Sequence, residues 1–249
     1  MLKISATVVT LNEEANVARA LESLRCCDEI VVVDAGSGDQ TIGIARRLGA
    51  RVIETEWPGY AKQKNYAAEA AQHDWILSID ADEALSEGLE AEIWEIKRTG
   101  PQADAYTIPR LAQYMGRWIL HCGWYPDRKV RFYDRRKARW VGEYVHESVK
   151  VTGRTGHLKS NLLHYTCSSF SQHLRTVDRY TTLAARELVA QRTPVPLWRI
   201  LVAPPWTFFK TYVLQRGFLD GFEGLVISYM AATYVFSKYV KARNMSGCG

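Results

Sequence analysis

The chain has 249 residues, close to half of them apolar, which suits one large α/β domain or a domain with an appendage and excludes a disordered or disulfide-stapled class. Its net charge of +5 is placed unevenly: residues 192–243 hold seven Lys/Arg against two Asp/Glu, the whole of the excess. That basic segment is also the richest in aromatic and aliphatic residues, a combination that points to an anionic membrane surface and away from nucleic acid.

The first 80 residues alternate two periods. Short β-branched runs at 4–10, 29–35, 51–55 and 75–80 read as strands. Stretches at 13–24, 39–48 and 60–71 carry apolar residues three and four apart and read as helices. Strand–helix alternation predicts βαβ units on a parallel sheet, and near-continuous apolar strands predict a sheet covered on both faces. The opening LKISATVVT is too short for a signal peptide. Five cysteines with no CxxC spacing suggest neither a disulfide framework nor a zinc site, and a reduced cytosolic setting is the simpler reading.

From 103 to about 150 the pattern shifts to the short strand-like pieces AYTIP, VRFYD, ARWVG and VHESVKV, a mixed or antiparallel extension. Residues 169–190 read as an amphipathic helix, followed by a breaker at 193–196. Two apolar, aromatic segments close the chain. Their longest charge-free runs are ten and fourteen residues, ILVAPPWTFF and GLVISYMAATYVFS, where a spanning helix needs roughly 20. Trp198, Trp206, Phe208, Phe209 and Tyr212, interleaved with Arg199, Lys210 and Arg216, suit a bilayer interface; the plainer alternative is a helix pair packed on the main domain.

In open α/β sheets ligands bind beyond the carboxyl ends of strands, and three polar clusters fall at such ends. SIDADE (78–83) puts three carboxylates in six residues. Asp80 and Asp82, two apart on an extended turn, are placed to share one hard cation, Mg²⁺ or Mn²⁺, carrying a diphosphate. The competing reading is a solvated acidic turn that caps the helix starting near Ser86. In DAGSGDQT (34–41), Asp34 is placed to accept hydrogen bonds from a uracil or ribose, while Asp39 caps the next helix. Thr10–Glu14 is the third polar end. There is no GxxxxGK[ST] and no GxGxxG, which disfavours a phosphate-loop ATPase or a dinucleotide-binding dehydrogenase.

VVTLNEEANVARALESL, EIVVVDAGSGDQT, KQKNYAAEAAQHDWILSIDADE and WVGEYVHE, in that order over roughly 3–167, resemble family-2 glycosyltransferases of the GT-A fold. The region from about 169, with RGFLDGFEGL, resembles the branch that adds sugars to the lipopolysaccharide inner core, including β-1,4-glucosyltransferases. The resemblance implies a mostly parallel central sheet flanked by helices in a catalytic domain at 1–168, divided into a nucleotide half (1–100) and an acceptor half (101–168). A C-terminal helical, membrane-associating extension follows at 169–249. It implies a UDP-sugar donor, a Mg²⁺ or Mn²⁺ ion and inversion at the anomeric carbon. Thr10 and Glu13 would line the uridine site, Asp34 would contact base or ribose, and Lys64 would lie near the nucleotide. Asp80 would touch the ribose or metal-bound water, and Asp82 would ligate the metal.

Inversion in a single displacement requires a base for the acceptor hydroxyl. Glu143 and Glu147 are the candidates, and the HE pair of the family falls on Glu147. A salt bridge from Glu147 to Arg128 or Arg131 is the structural alternative. His146 is a further candidate metal or phosphate contact, with His164 of similar standing. Arg128, Arg131, Arg135 and Arg136 offer guanidinium groups to a leaving diphosphate or to acceptor phosphates. Trp118, Trp124 and Trp140 are candidates for stacking on sugars, although a core role is commoner. The expected partners are a UDP-sugar donor, a lipid-linked saccharide acceptor and an anionic membrane surface. The expected place is the cytoplasm, peripheral on the inner face of the cytoplasmic membrane. Transfer to a polyprenyl phosphate, which needs little base catalysis, and a non-catalytic nucleotide- or carbohydrate-binding module are the competing functions.

Overall fold

A computed structural model describes residues 1–142 and 147–247. They form two compact units, one of residues 1–110 and 127–164, the other of 111–126 and 165–249. Residues 111–126, expected from sequence in the acceptor half of a domain ending at 168, belong to the same compact unit as the C-terminal helices. No local signal in the sequence reports that long-range pairing.

The first unit opens with β1 (Ile4–Thr10), α1 (Val17–Glu22), β2 (Glu29–Asp34), α2 (Thr41–Arg47), β3 (Arg51–Glu54), α3 (Tyr60–Ala70) and β4 (Trp75–Asp80). All four strands are where the β-branched runs place them. The helix expected at 13–24 is shorter, because residues 13–16 form a turn in which Asn16 and Val17 N–H both donate to the Glu13 carbonyl. Then follow β5 (Glu83–Leu85) and α4 (Glu87–Thr99), whose N-terminus is capped by Ser86 Oγ accepting from Leu89 N–H at 3.2 Å.

The chain continues through β6 (Ala105–Tyr114), β7 (Arg117–Trp118), β8 (Asp127–Asp134), β9 (Ala138–Val141), β10 (Ser148–Val151), β11 (Thr155–His157) and β12 (Leu162–Cys167). The main sheet runs β3-β2-β1-β4-β8-β6-β12-β5, with β7 and β11 paired to β6, while β9 and β10 make a separate hairpin. Strands β3, β2, β1 and β4 are parallel; β8 joins antiparallel to β4. In the parallel register Thr10 stands opposite Asp34, and Val9 opposite Asp80. Three polar strand ends are thus level along one edge.

Both faces of β1, β2 and β4 are buried, which explains their uninterrupted apolar character, while the edge strand β3 is partly exposed. Ile4, Ala6, Val8, Val32, Leu77 and Ile79 pack on one side with residues of α1, α2 and α4. Val31, Val33 and Ile76 face the other side with Ala67 and Ala68 of α3 and Trp140 of β9. Adjacent β2 residues point to opposite faces, as the pleat requires.

The second unit holds α5 (Phe170–Ala190), α6 (Leu197–Phe209), a π-turn at Lys210–Leu214, a 3-10 turn at Gly217–Asp220 and α7 (Gly221–Met245). Asp220 is buried and ties the turn after β7 to the start of α7: its carboxylate accepts from the N–H groups of Leu120 and His121 and from His121 Nδ1 at 2.9 Å. Gly224 lies so close to the Gly217 carbonyl that a Cβ would not fit between them. Among the described residues no helix is long and apolar enough to cross a membrane.

Candidate active site

Within the first unit the loops after β1 and β2 are laced together. Asn12 N–H donates to Ser37 Oγ, Gly38 N–H to Asn12 Oδ1, Glu13 N–H to Thr41 Oγ1 and Gln40 N–H to Glu14 Oε2. Asp34 is the hub. Fully buried, its carboxylate accepts from Thr10 Oγ1 (2.7 Å), Gly36 N–H (2.9 Å), Ser37 N–H (2.7 Å) and Ser37 Oγ (2.6 Å). Those four donors fill the acceptor capacity of a carboxylate. Asp34 and Thr10, expected to meet the uridine directly, are therefore spent on each other and on the loop. In this arrangement they shape the edge and offer no free carboxylate to a base.

The acids after β4 divide into two sets. Asp80 Oδ1 lies 2.8 Å from Lys64 Nζ and its Oδ2 2.7 Å from an Arg131 Nη2. Burial alone would raise the Asp80 carboxyl; Arg131 and Lys64 outweigh it and hold the group well below the usual carboxylate range. Glu83, buried where Asp80 is half-buried, accepts from Asp80 N–H (2.9 Å) and pairs with Arg131 (2.7 Å) and Arg110 (3.4 Å); Arg110 in turn pairs with Asp127 (2.7 Å). The cations that neutralise this part of SIDADE are side chains of the protein. In this arrangement both Asp80 oxygens face side-chain cations.

Asp82 stands apart from that chain of charges. It is partly exposed, and His164 Nε2 approaches its Oδ2 at 3.2 Å. Glu13 completes the neighbourhood. Burial pushes its carboxyl up, the Asn16 amide at 2.8 Å lowers it, and the negative charges of Asp82, Asp39 and Asp80 raise it further. The parallel register, Val9 opposite Asp80, brings the ends of β1 and β4, and with them Glu13, Asp80 and Asp82, to one sheet edge.

Lys64 is only 2% exposed and makes a second contact, 3.4 Å to Glu147 Oε1. The anticipated bridge from Glu147 to Arg128 or Arg131 is replaced by this one. Lys64 also sits 4.3 Å from the centroid of the Trp140 ring, and Arg131 5.5 Å. Trp140 is core: its Nε1–H donates to Tyr133 Oη (3.0 Å), and Asn65 exchanges hydrogen bonds of 2.9 Å with its backbone N–H and carbonyl. Arg131 Nε and Nη1 find no acceptor among the described residues, and the nearby indole offers partial compensation. Arg131, for which a diphosphate contact was expected, is buried here and paired with Asp80 and Glu83. Arg128 donates to the Leu158 carbonyl (3.0 Å), and Arg135 and Arg136 pair with Asp74 and Asp134. Glu143 and His146 lie outside the described residues.

Sequence reasoning did not assign roles to Glu83, Arg110, Asp127 or Asn65. Apart from the Asp80 N–H bond to Glu83 and the Lys129–Asp127 pair, their partners lie many positions away, so no local pattern marks them. His164, a candidate metal or phosphate contact of the same standing as His146, is carried to Asp82 by the β12–β5 pairing, in which it stands opposite Glu83.

The profile of glycosyl transferase family 2 matches residues 5–175. The chain belongs to that family. This glycosyltransferase is 34% identical over 258 residues to an uncharacterized glycosyltransferase of Rickettsia prowazekii (strain Madrid E), covering 99% of this chain and 88% of that one. It is 28% identical over 262 residues to the lipopolysaccharide core biosynthesis glycosyltransferase LpsC of Rhizobium meliloti (strain 1021), covering 97% and 95%. Among solved structures it is similar to the mannosyltransferase PcManGT of Pyrobaculum calidifontis, with a TM-score of 0.52 at 15% identity, covering 96% of this chain and 86% of that one. That likeness concerns the fold, which is the GT-A-like α/β arrangement expected from the four motifs.

Proposed function

We propose that this glycosyltransferase moves a hexose, glucose by its lipopolysaccharide-core likeness, from a UDP-sugar to a hydroxyl of a lipid-linked saccharide. The acceptor would be held at the cytoplasmic face of the inner membrane, and the anomeric carbon would be inverted. The observation that carries the reading is the convergence of Glu13, Asp82 and His164 on one sheet edge, with Glu147 tethered beside them through Lys64. The name of LpsC supports the acceptor class.

The residues present fit a divalent cation. Asp82 and His164 offer one carboxylate and one imidazole at a partly exposed position. Among the described residues no third His, Cys, Asp or Glu joins them, so the remaining ligands would come from the donor phosphates and water. An oxygen–nitrogen pair of this kind favours Mn²⁺ over Mg²⁺. When bound, the ion supplies positive charge for the departing diphosphate.

The protein's own groups supply the rest. The carboxylate of Glu147 takes the proton of the acceptor hydroxyl as the new C1–O bond forms and the bond from C1 to the β-phosphate oxygen breaks, the electron pair leaving with UDP. Lys64 tethers Glu147 beside Asp80. The laced loops present backbone and Glu13 to the nucleoside.

Calorimetry of UDP with Mn²⁺ tests the donor site. We expect binding that weakens at least tenfold with EDTA and in Asp82→Asn, and a product from a UDP-hexose in a panel of UDP-, GDP- and dTDP-sugars. UDP binding indifferent to both treatments would refute the metal-assisted donor site, and full turnover by Glu147→Gln would remove the assigned base.

A further inference from the structure

The second unit carries a surface that its own packing leaves uncovered. Along α6 and the π-turn, Trp198, Leu201, Val202, Trp206, Phe209 and Val213 are all exposed, Leu201 at 70%, Trp198 at 64% and Trp206 at 55%. Spaced three and four apart, with Leu201 and Val202 adjacent, they lie along one side of the helix. Phe218, Leu219 and Phe222 extend the exposed apolar series into the turn and the start of α7. The opposite side of α6 is satisfied internally, with Ile200 and Pro204 buried.

Charge decides among possible occupants. Between Leu197 and Tyr229 the exposed charged residues are Lys210 and Arg216, both basic, while the two acids are withdrawn: Asp220 is buried against His121 and Glu223 is half-buried. A stretch of about 20 Å (13 residues of α6 at 1.5 Å each) rich in Trp, Phe and Leu, flanked by cations and free of exposed acid, matches the boundary between headgroups and acyl chains of an anionic bilayer. It is too short to cross.

We infer that this α6–π-turn–α7 surface lies in the interfacial plane of an anionic membrane, with Trp198, Leu201, Trp206 and Phe209 inserted among the lipids and Lys210 and Arg216 at the headgroups. The inference deepens the proposed function and takes from it only that the acceptor is membrane-held; the docking surface itself is independent of catalysis.

The test uses the full chain and sedimentation with vesicles of phosphatidylcholine containing phosphatidylglycerol, and of phosphatidylcholine alone. Wild type is expected to sediment with the anionic vesicles. Trp198→Ser/Leu201→Ser/Trp206→Ser should lose about a hundredfold in partitioning while circular dichroism and UDP binding stay unchanged. Lys210→Glu/Arg216→Glu should lose at least tenfold on anionic vesicles only. Quenching of tryptophan fluorescence by brominated lipid, present in wild type and lost in Trp198→Phe/Trp206→Phe, reads insertion without disturbing the fold. Vesicle binding unaltered by these substitutions would overturn the inference. So would a wild-type dimer in ultracentrifugation that the triple variant abolishes without any vesicle binding, which would assign the face to a second copy. UDP binding reports the donor site separately, so either reading can fail while the other stands.

Discussion

Lys64 Nζ stands 2.8 Å from Asp80 Oδ1 and 3.4 Å from Glu147 Oε1, and so joins the strand end that bears the acidic turn to the carboxylate assigned as base. The lysine is almost fully buried, which makes the pairing costly to break from one side. Lys64→Met leaves two carboxylates facing each other with Arg131 as the remaining neighbour. We expect a loss of about 3 kcal/mol in denaturant unfolding and at least a hundredfold drop in turnover. Equal stability of variant and wild type would contradict the pairing.

Glu147→Gln keeps the side-chain volume and a hydrogen-bonding oxygen for Lys64 but removes the proton acceptor. Turnover should fall by about 10²–10⁴ with donor affinity retained, the range for loss of a positioned base. Steady-state kinetics with calorimetry of UDP separates the two effects. Were the acceptor a phosphate, turnover would persist.

His164→Ala removes the imidazole beside Asp82 without touching the Lys64–Asp80–Arg131 pairs. The expected result is a tenfold or greater loss in Mn²⁺-supported UDP binding, with little change in UDP binding under EDTA. A manganese paramagnetic resonance titration checks the same site directly.

Acid stability follows from Asp28. Burial alone would raise its carboxyl, but Lys3 and Lys97, each 2.8 Å away, and the Ile4 N–H hold it well below the usual range. A carboxyl depressed in the folded state contributes stability above its unfolded pKa, about 3.9, and loses it as pH falls toward the folded value. Thermal unfolding should therefore show a midpoint that drops below about pH 4 in wild type and drops less steeply in Asp28→Asn, which starts lower at neutral pH.

Gly224→Ala tests the joint within the second unit. A methyl at this position meets the backbone carbonyl of Gly217, which has no flexible end to move aside. A loss of about 2–3 kcal/mol is expected from such overpacking, read by differential scanning calorimetry; a neutral effect would mean that α7 and the turn slide apart cheaply.

Much of the first unit was legible along the chain. The β-branched runs of β1, β2 and β4 are each buried on two faces, and that burial is what writes an unbroken apolar stretch into a sequence. The clustering of Thr10, Asp34 and Asp80 at one edge followed from strand–helix alternation, because parallel strands must all end on the same side. The aromatic and basic character of α6 was equally visible. What only the tertiary structure decided is how the charges pair. Asp80 and Asp82 look alike in SIDADE, yet one faces Lys64 and Arg131 and the other His164. Those partners come from α3, β8 and β12, between about 16 and 82 positions away. Ion pairing depends on distances of a few ångströms in space, and strand order, not spacing along the chain, sets them.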